Sequence, residues 1–302
     1  LPGKKAAIIG GGPTGIAAAY FLARGGVQTT IFEREEKLGG VPRYVIPAFR
    51  ISDEALDKDV ALMERLGVEV KCGAPAPSVA ELKKMGYTHI LLATGAWQAG
   101  ELGIPGNVRG VIAWMKEMKQ QVKPCLEGHV VVVGAGNTAM DAARVAKRMG
   151  AASSTIVYRR TKKEMPADEH ELKLAIDAGV NLVELAAPVE QKDGKLVCSK
   201  MQLGEPDASG RRSPVATGET FEIPCDLVLS AIGEKVDAKL MAENGIEMGR
   251  KGPAFQTNVE NVWSAGDAHR GPATVVEGIA DAAAFAEAVI GAAHTYEIPE
   301  QA

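Results

Sequence analysis

The sequence predicts an α/β fold built twice, with the second copy inserted into the first, and three observations predict it. An apolar strand runs into a glycine turn and then a helix at residues 6–23 and again at residues 130–149. Each copy also closes on an apolar strand ending in a small residue and glycine, at residues 90–95 and 225–233. The end of the chain holds only one short strand with a Gly-Asp turn, residues 262–267, and an Ala-rich helix over 274–293, too little for a third domain. The C-terminal part is therefore expected to return to the first copy, giving domains at 1–108 with 245–302 and at 109–244.

The first turn reads Gly10-Gly11-Gly12-Pro13-Thr14-Gly15 and the second Gly134-Ala135-Gly136-Asn137-Thr138-Ala139. Both fit G-x-G-x-x-G/A between a strand and a helix, the pattern that seats a dinucleotide pyrophosphate on backbone N–H groups at a helix N-terminus. Both copies are thus expected to be Rossmann-like, and two such sites imply two nucleotides. An enzyme holding two dinucleotides most simply passes electrons between them.

Along the first copy, helical spacing follows at 16–23 and a second strand at 29–33, placing Glu33 where an acid meets ribose hydroxyls. Ser52 caps a helix that Gly67 ends, and residues 68–70, including Val70, form a short strand. Composition turns to Gly, Pro and Asn near 102–110, a candidate crossover. In the second copy a strand at 155–158 ends in Tyr158-Arg159-Arg160 in place of an acid. Guanidinium groups pair with a 2′-phosphate that a carboxylate would repel, so NADPH is favoured over NADH. A solvated basic turn continued by Lys162 and Lys163 is the competing reading. Short antiparallel strands are expected at 183–189, 196–203 and 220–223, with polar turns at 192–195 and 206–214.

Asp267 is expected to accept from ribityl hydroxyls beside Gly266, and the helix opening at Thr274 and Val275 to aim its positive end at a flavin. Gly39, Gly40, Val41 and residues 45–50, Arg50 among them, are expected to line the same group. Arg34, Ala93, Thr94 and Gly95 stand next to this site, as Ile232 and Gly233 do for the second. His170 lies among acids in a polar helix and reads as solvated, while His269 follows the Gly-Asp turn. No nucleophile–base or carboxylate-pair constellation stands out, and hydride transfer needs none, because the cofactors carry the chemistry.

Composition narrows the classes. With 46% hydrophobic and 24% charged residues in 302 the chain has room for two cores, and its net charge of −4 supports neither a nucleic-acid nor a membrane partner. No apolar run reaches transmembrane length and the start lacks a signal-peptide core, so a cytoplasmic location is expected. The absence of an initiator Met suggests an excised stretch of a longer polypeptide. Cys72, Cys125, Cys198 and Cys225 stand singly, without the C-x-x-C spacing of a redox disulfide, iron–sulfur cluster or zinc site. Buried or semi-buried free thiols are expected.

Taken together, Gly10–Gly15, Leu38-Gly39-Gly40, Ile46-Pro47-Ala48-Phe49-Arg50, Ala93-Thr94-Gly95, Gly134 to Asp141, Val157-Tyr158-Arg159-Arg160, Glu164-Met165-Pro166-Ala167 and Ala265-Gly266-Asp267 resemble the small subunit of glutamate synthase. That family includes the flavin–NADPH half of dihydropyrimidine dehydrogenase, ferredoxin–NADP reductase-type subunits and selenate reductase flavoproteins. Residues 201–207 with Gly210-Arg211-Arg212 look closest to the last group. The resemblance implies FAD on the first domain, NADPH on the inserted one with Arg159 and Arg160 at the 2′-phosphate, and single-electron exit through iron–sulfur clusters of a Cys-rich partner domain or subunit. No Cys-rich region is present in this sequence. A thioredoxin reductase-type disulfide reductase and a non-catalytic nucleotide-binding or assembly module remain alternatives, and neither the terminal acceptor nor the oligomeric state is encoded in these residues.

Overall fold

Strands and helices alternate along the chain as the apolar runs require. A computed structural model describes residues 1–206, 208, 210, 212–248 and 255–291. Expectations resting on Asp207, on Arg211 and on the helix end near residue 293 lie outside them. The chain divides into two units, Leu1–Trp97 with Lys235–Ala302, and Gln98–Glu234.

The first unit begins β1 (Lys5–Ile9), α1 (Pro13–Arg24), β2 (Gln28–Phe32), α2 (Gly40–Tyr44), α3 (Asp53–Glu64), β3 (Glu69–Lys71), α4 (Val79–Lys84) and β4 (His89–Leu92). The chain then forms β5 (Gln98–Ala99), β6 (Val108–Gly110), α5 (Val111–Lys119), β7 (His129–Val133), α6 (Asn137–Arg148), β8 (Ser153–Tyr158), α7 (Glu169–Asp177), β9 (Asn181–Glu184), β10 (Ala186–Lys192), β11 (Lys195–Pro206), β12 (Arg212–Pro224), β13 (Leu227–Ser230) and β14 (Glu234–Lys235). It returns to the first unit as α8 (Ala238–Glu243), β15 (Val262–Ser264), α9 (Asp267–Arg270) and α10 (Val275–Ile290).

The first unit's sheet is parallel in the order β15-β4-β1-β2-β3, and the second unit's in the order β6-β13-β7-β8-β9. In each, the strand carrying the glycine turn lies where the order reverses, and ligands of open α/β sheets bind in the crevice beyond that point. Alternation along the strands builds a core on either face. Ala6 and Ile8 join α1 and α10 through Leu22, Phe285 and Ala286, while Ala7 and Ile9 join Leu82, Met241 and Ile90 on the other side. Burial of each large side chain stabilises by about 1.5–3 kcal/mol.

In the second unit an antiparallel sheet, β10-β11-β12, covers one face, where Ala186, Leu196 and Cys198 meet Val131, Val133 and Val228. Two expectations change here. The strand expected over 183–189 breaks at Leu185, whose φ of 53° turns the chain out of the parallel sheet and into the antiparallel one. The turn expected over 206–214 is narrower, because Arg212 and Pro214 already pair with Pro206 and Leu203. The crossovers expected near 108/109 and 244/245 compare with unit limits at 97/98 and 234/235. There β5 and β14 pair as a two-stranded ribbon. Among the described residues no helix is long and apolar enough to cross a membrane.

Candidate functional site

The first glycine turn is fixed by close backbone approach. Gly10 has φ 108°, and a Cβ there would lie 2.3 Å from the Ala93 carbonyl oxygen; one at Gly15 would lie 2.0 Å from the Gly10 carbonyl oxygen. These positions admit only glycine, because the chain after β4 lies against Gly10 and the first turn of α1 lies against the Gly10 carbonyl. Gly12 is different. Its nearest neighbour would be Gly40 Cα at 3.8 Å, and as N-cap of α1, ahead of Pro13, it makes no side-chain cap. An open residue in front of uncapped helix N–H groups is the cradle a pyrophosphate needs.

Glu33 ends β2 beside this cradle. Its carboxylate, 6% exposed, accepts from Gly11 N at 2.7 Å and from Glu35 N at 2.8 Å. Gly39 N donates to Gly11 O at 2.7 Å, and Gly40, with φ 56°, approaches Gly12 so closely that a Cβ would fall 2.7 Å from its Cα. This second glycine pair is held by a residue the sequence did not single out. Buried Arg43 donates from Nε to Leu38 O at 2.5 Å and pairs with Asp57 at 2.5 Å and Asp53 at 3.5 Å. Val41 accepts from Val45 N and Ile46 N, and Arg50 is exposed at the following turn. Arg34 lies 4.9 Å over the Trp97 ring, and Val70 is half-buried opposite Ile31.

Across the crevice, Thr94 Oγ1 and Ser264 Oγ are buried without a hydrogen-bond partner among the described residues. Buried hydroxyls rarely stay so, and at the rim of the cradle Thr94 points to a polar group of a ligand. Gly95 follows with φ 71°. A Cβ at Gly266 would meet Thr14 Oγ1 at 2.3 Å, which brings the Gly-Asp turn against the start of α1. Asp267, half-buried, accepts from Ala273 N at 3.1 Å. Thr274 caps α10 through Glu277 N at 3.2 Å, and Val275 stands 46% exposed. Also missed was an ion pair under this turn, between partly exposed Arg270 and buried Asp281. Asp281 accepts from Gly266 N at 2.9 Å and from Arg270 Nε at 3.1 Å. His269 packs edge-on against Phe255 at 5.1 Å.

The second turn repeats the first. Gly134 has φ 145° and a Cβ there would lie 2.2 Å from the Ala231 carbonyl oxygen, while Gly136, N-cap of α6 without a side-chain cap, has nothing within 4 Å. Ala139 is fully buried, so a methyl fits where the first turn needs Gly15. Exposed Asn137 accepts from Asp168 N at 3.3 Å, and Thr138 is half-buried. At the end of β8 the arginines part: Arg159 is exposed and Arg160 buried. Ile232 is 47% exposed, and Gly233, with φ 109°, accepts from Gly100 N at 2.7 Å. His170, exposed in α7, matches its solvated reading.

Thiols divide by burial. Cys198 and Cys225 are buried, and loss of hydration pushes them up to about 11 and about 12. Cys72 is half-buried and raised for the same reason, but Cys125 is exposed, against the expectation of burial, because it lies in the loop between α5 and β7. Among the described residues no His, Cys, Asp and Glu group is placed to hold a metal ion.

Comparison with known proteins agrees with this geometry. Residues 4–282 match the family model described as pyridine nucleotide-disulphide oxidoreductase. YgfK of Escherichia coli (strain K12) is 39% identical over 94% of this chain and 29% of its own length. The NADP(+)-dependent formate dehydrogenase subunit beta of Moorella thermoacetica is 37% identical over 92% of this chain and 42% of its own. The glutamate synthase [NADPH] small chain of Halomonas elongata is 33% identical over 95% and 67%. The chain thus spans less than half the length of the first two. Mycobacterium tuberculosis FprA, solved in complex with NADPH, shares the fold with a TM-score of 0.79 at 19% identity, over 98% of this chain and 87% of that one. The chain belongs to the pyridine nucleotide-disulphide oxidoreductase family, with the small chain of glutamate synthase among its relatives, and is an NAD(P)H-dependent, FAD-containing oxidoreductase.

Proposed function

We propose that the first unit holds FAD and the second NADPH, and that electrons taken as hydride from NADPH leave to an iron–sulfur domain or subunit. The observation that carries this reading is the contrast at matched positions: two glycine cradles, one ending its second strand in buried Glu33 and the other in exposed Arg159. A carboxylate suits unphosphorylated ribose hydroxyls, and a guanidinium suits a 2′-phosphate. Gly10, Gly12, Gly15, Thr14, Glu33 and Asp267 serve FAD, with Thr94 donating to it. Gly134, Gly136, Asn137, Thr138 and the Arg159-Arg160 turn serve NADPH. When bound, the flavin supplies an acceptor for two electrons that can be released singly.

The partner and the place in the cell follow by chemistry. Relatives are named as subunits, the beta subunit of a formate dehydrogenase and the small chain of glutamate synthase, which suits a module that hands its electrons to another chain. Four free thiols suit the reducing cytoplasm. A disulfide reductase needs an accessible low-pKa thiol pair, and the two cysteines of the second unit's core are buried and raised instead. The test is spectroscopic. FAD-loaded protein kept without oxygen is expected to lose its flavin band on adding NADPH, and to do so after thiol alkylation. A protein that takes up no FAD contradicts the reading in favour of a non-catalytic module, and bleaching abolished by alkylation contradicts it in favour of a disulfide reductase.

A further inference from the structure

We propose that Asp281 is a positioning residue for FAD: through the Gly266 N–H it sets the aim of Asp267, and Arg270 holds its carboxylate in the place from which it does so. The inference rests on the assignment of Asp267 to FAD and adds what keeps that side chain in register. Gly266, the N-cap of α9, has φ 65° and ψ −150°, a region open essentially to glycine alone that persists only where its surroundings fix it. Its carbonyl accepts from His269 N at 2.9 Å and from Arg270 N at 3.1 Å, both within the turn. Its N–H is the tie to another element, donating to Asp281 Oδ2 on α10 at 2.9 Å.

Asp281 is 2% exposed and shares a face of α10 with Gly278, three residues earlier. A Cβ at Gly278 would lie 2.5 Å from Thr14 Oγ1, and one at Gly266 2.3 Å from the same atom, so Thr14 of the first glycine turn is held between the Gly-Asp turn and α10. One helix face thus carries both contacts: Gly278 admits the start of α1, and Asp281 fastens Gly266. A shift of the Gly-Asp turn away from the cradle must stretch the Gly266–Asp281 bond. Both carboxylate oxygens are in use. Oδ2 also accepts from Arg270 Nε at 3.1 Å and Oδ1 accepts from Arg270 Nη2, while Arg270 Nη1 lies 3.6 Å from Glu277, which accepts from Thr274 N at 2.8 Å. Gly266 precedes Asp267 and Arg270 ends α9, so Asp281 grips the short segment carrying Asp267 at both ends. An ion pair that served stability alone would need only the guanidinium. The bond to Gly266 N adds a hold on the residue next to Asp267.

The test is a double-mutant cycle on the full chain, with FAD affinity of the apoprotein measured by calorimetry. Asp267→Ala is expected to weaken FAD by about tenfold or more, and Asp281→Ala by about tenfold in the parent but by less than about twofold in the Asp267→Ala background, because the two act on one contact. Asp281→Asn offers one oxygen where two are used. It is expected to weaken FAD by about threefold in the parent, again only with Asp267 present, and it decides the matter if the Ala variant fails to fold. A purely structural ion pair would weaken FAD by the same factor in both backgrounds. That result, or unchanged affinity in either folded Asp281 variant, overturns the inference. Unchanged FAD affinity in Asp267→Ala overturns the assignment of Asp267 itself, and this inference with it.

Discussion

The two glycine turns share a plan and differ in what closes around them. Gly10 faces the Ala93 carbonyl and Gly134 the Ala231 carbonyl at nearly the same hypothetical Cβ distance, 2.3 and 2.2 Å. Beyond that the first turn is enclosed: Glu33 bonds Gly11, Gly40 lies against Gly12, and Gly266 packs on Thr14. The second is open, with Gly136 clear to 4 Å and its basic residue exposed. Enclosure suits a cofactor retained between turnovers, and openness suits one that exchanges. On the proposed reading one backbone solution would serve two residence times, with the side chains of neighbouring elements setting the difference.

The largest effects should come from the shared part. Gly10→Ala and Gly134→Ala each force a side chain onto a carbonyl oxygen in a left-handed conformation that alone costs about 1–3 kcal/mol. Gly10→Ala should yield protein without a flavin band, and Gly134→Ala flavin-containing protein that no longer binds NADP+, both read by absorbance and calorimetry. If either variant lost both cofactors while still folded, the two turns would not be separate sites. Arg270→Ala comes next, because it removes the cationic partner of the buried Asp281 carboxylate under the Gly-Asp turn. A loss of up to about 3 kcal/mol in chemical denaturation is expected, at the lower end for buried pairs because Arg270 is partly exposed.

Side chains at the second-strand ends sharpen the contrast further. Glu33→Ala leaves the Gly11 N–H unsatisfied and should cost about 1–3 kcal/mol together with flavin affinity. Arg159→Ala should leave stability within about 0.5 kcal/mol, the usual range for a surface change, so that a melting curve separates the two residues. The smallest effect is pH-dependent and belongs to the first unit. Burial against Trp263, with Lys4 nearby, lowers the His89 pKa from 6.5, so the unfolded chain takes up that proton more readily than the folded one. The stability it supports is intact above about 6.5 and is lost as pH falls through the lowered folded value. A His89→Gln variant should show a shallower decline in denaturation midpoint between pH 7 and pH 5 than the parent.

What was legible in the sequence was whatever short-range chemistry dictates. Gly10, Gly15 and Gly134 stood out because their conformations and close approaches demand glycine, and Glu33 because its offset from the turn is set by one helix and one strand. Arg43, Arg270 and Asp281 gave no such signal, since their partners lie on other helices and a buried guanidinium reads in sequence like a surface one. Arg159 and Arg160 looked equivalent for the same reason. Only the return of β12 to the turn after β8 distinguishes them. The break at Leu185 was hidden because an apolar run fits a parallel and an antiparallel strand alike.

The central claim is that one chain carries two separate dinucleotide sites, one enclosed and one exchanging. Titration of FAD-loaded protein with NADP+ in a calorimeter, followed by absorbance of the dialysed sample, tests it most directly. One NADP+ per chain should bind and wash out while one FAD stays. Displacement of FAD by NADP+, or saturation by either alone, would contradict the account.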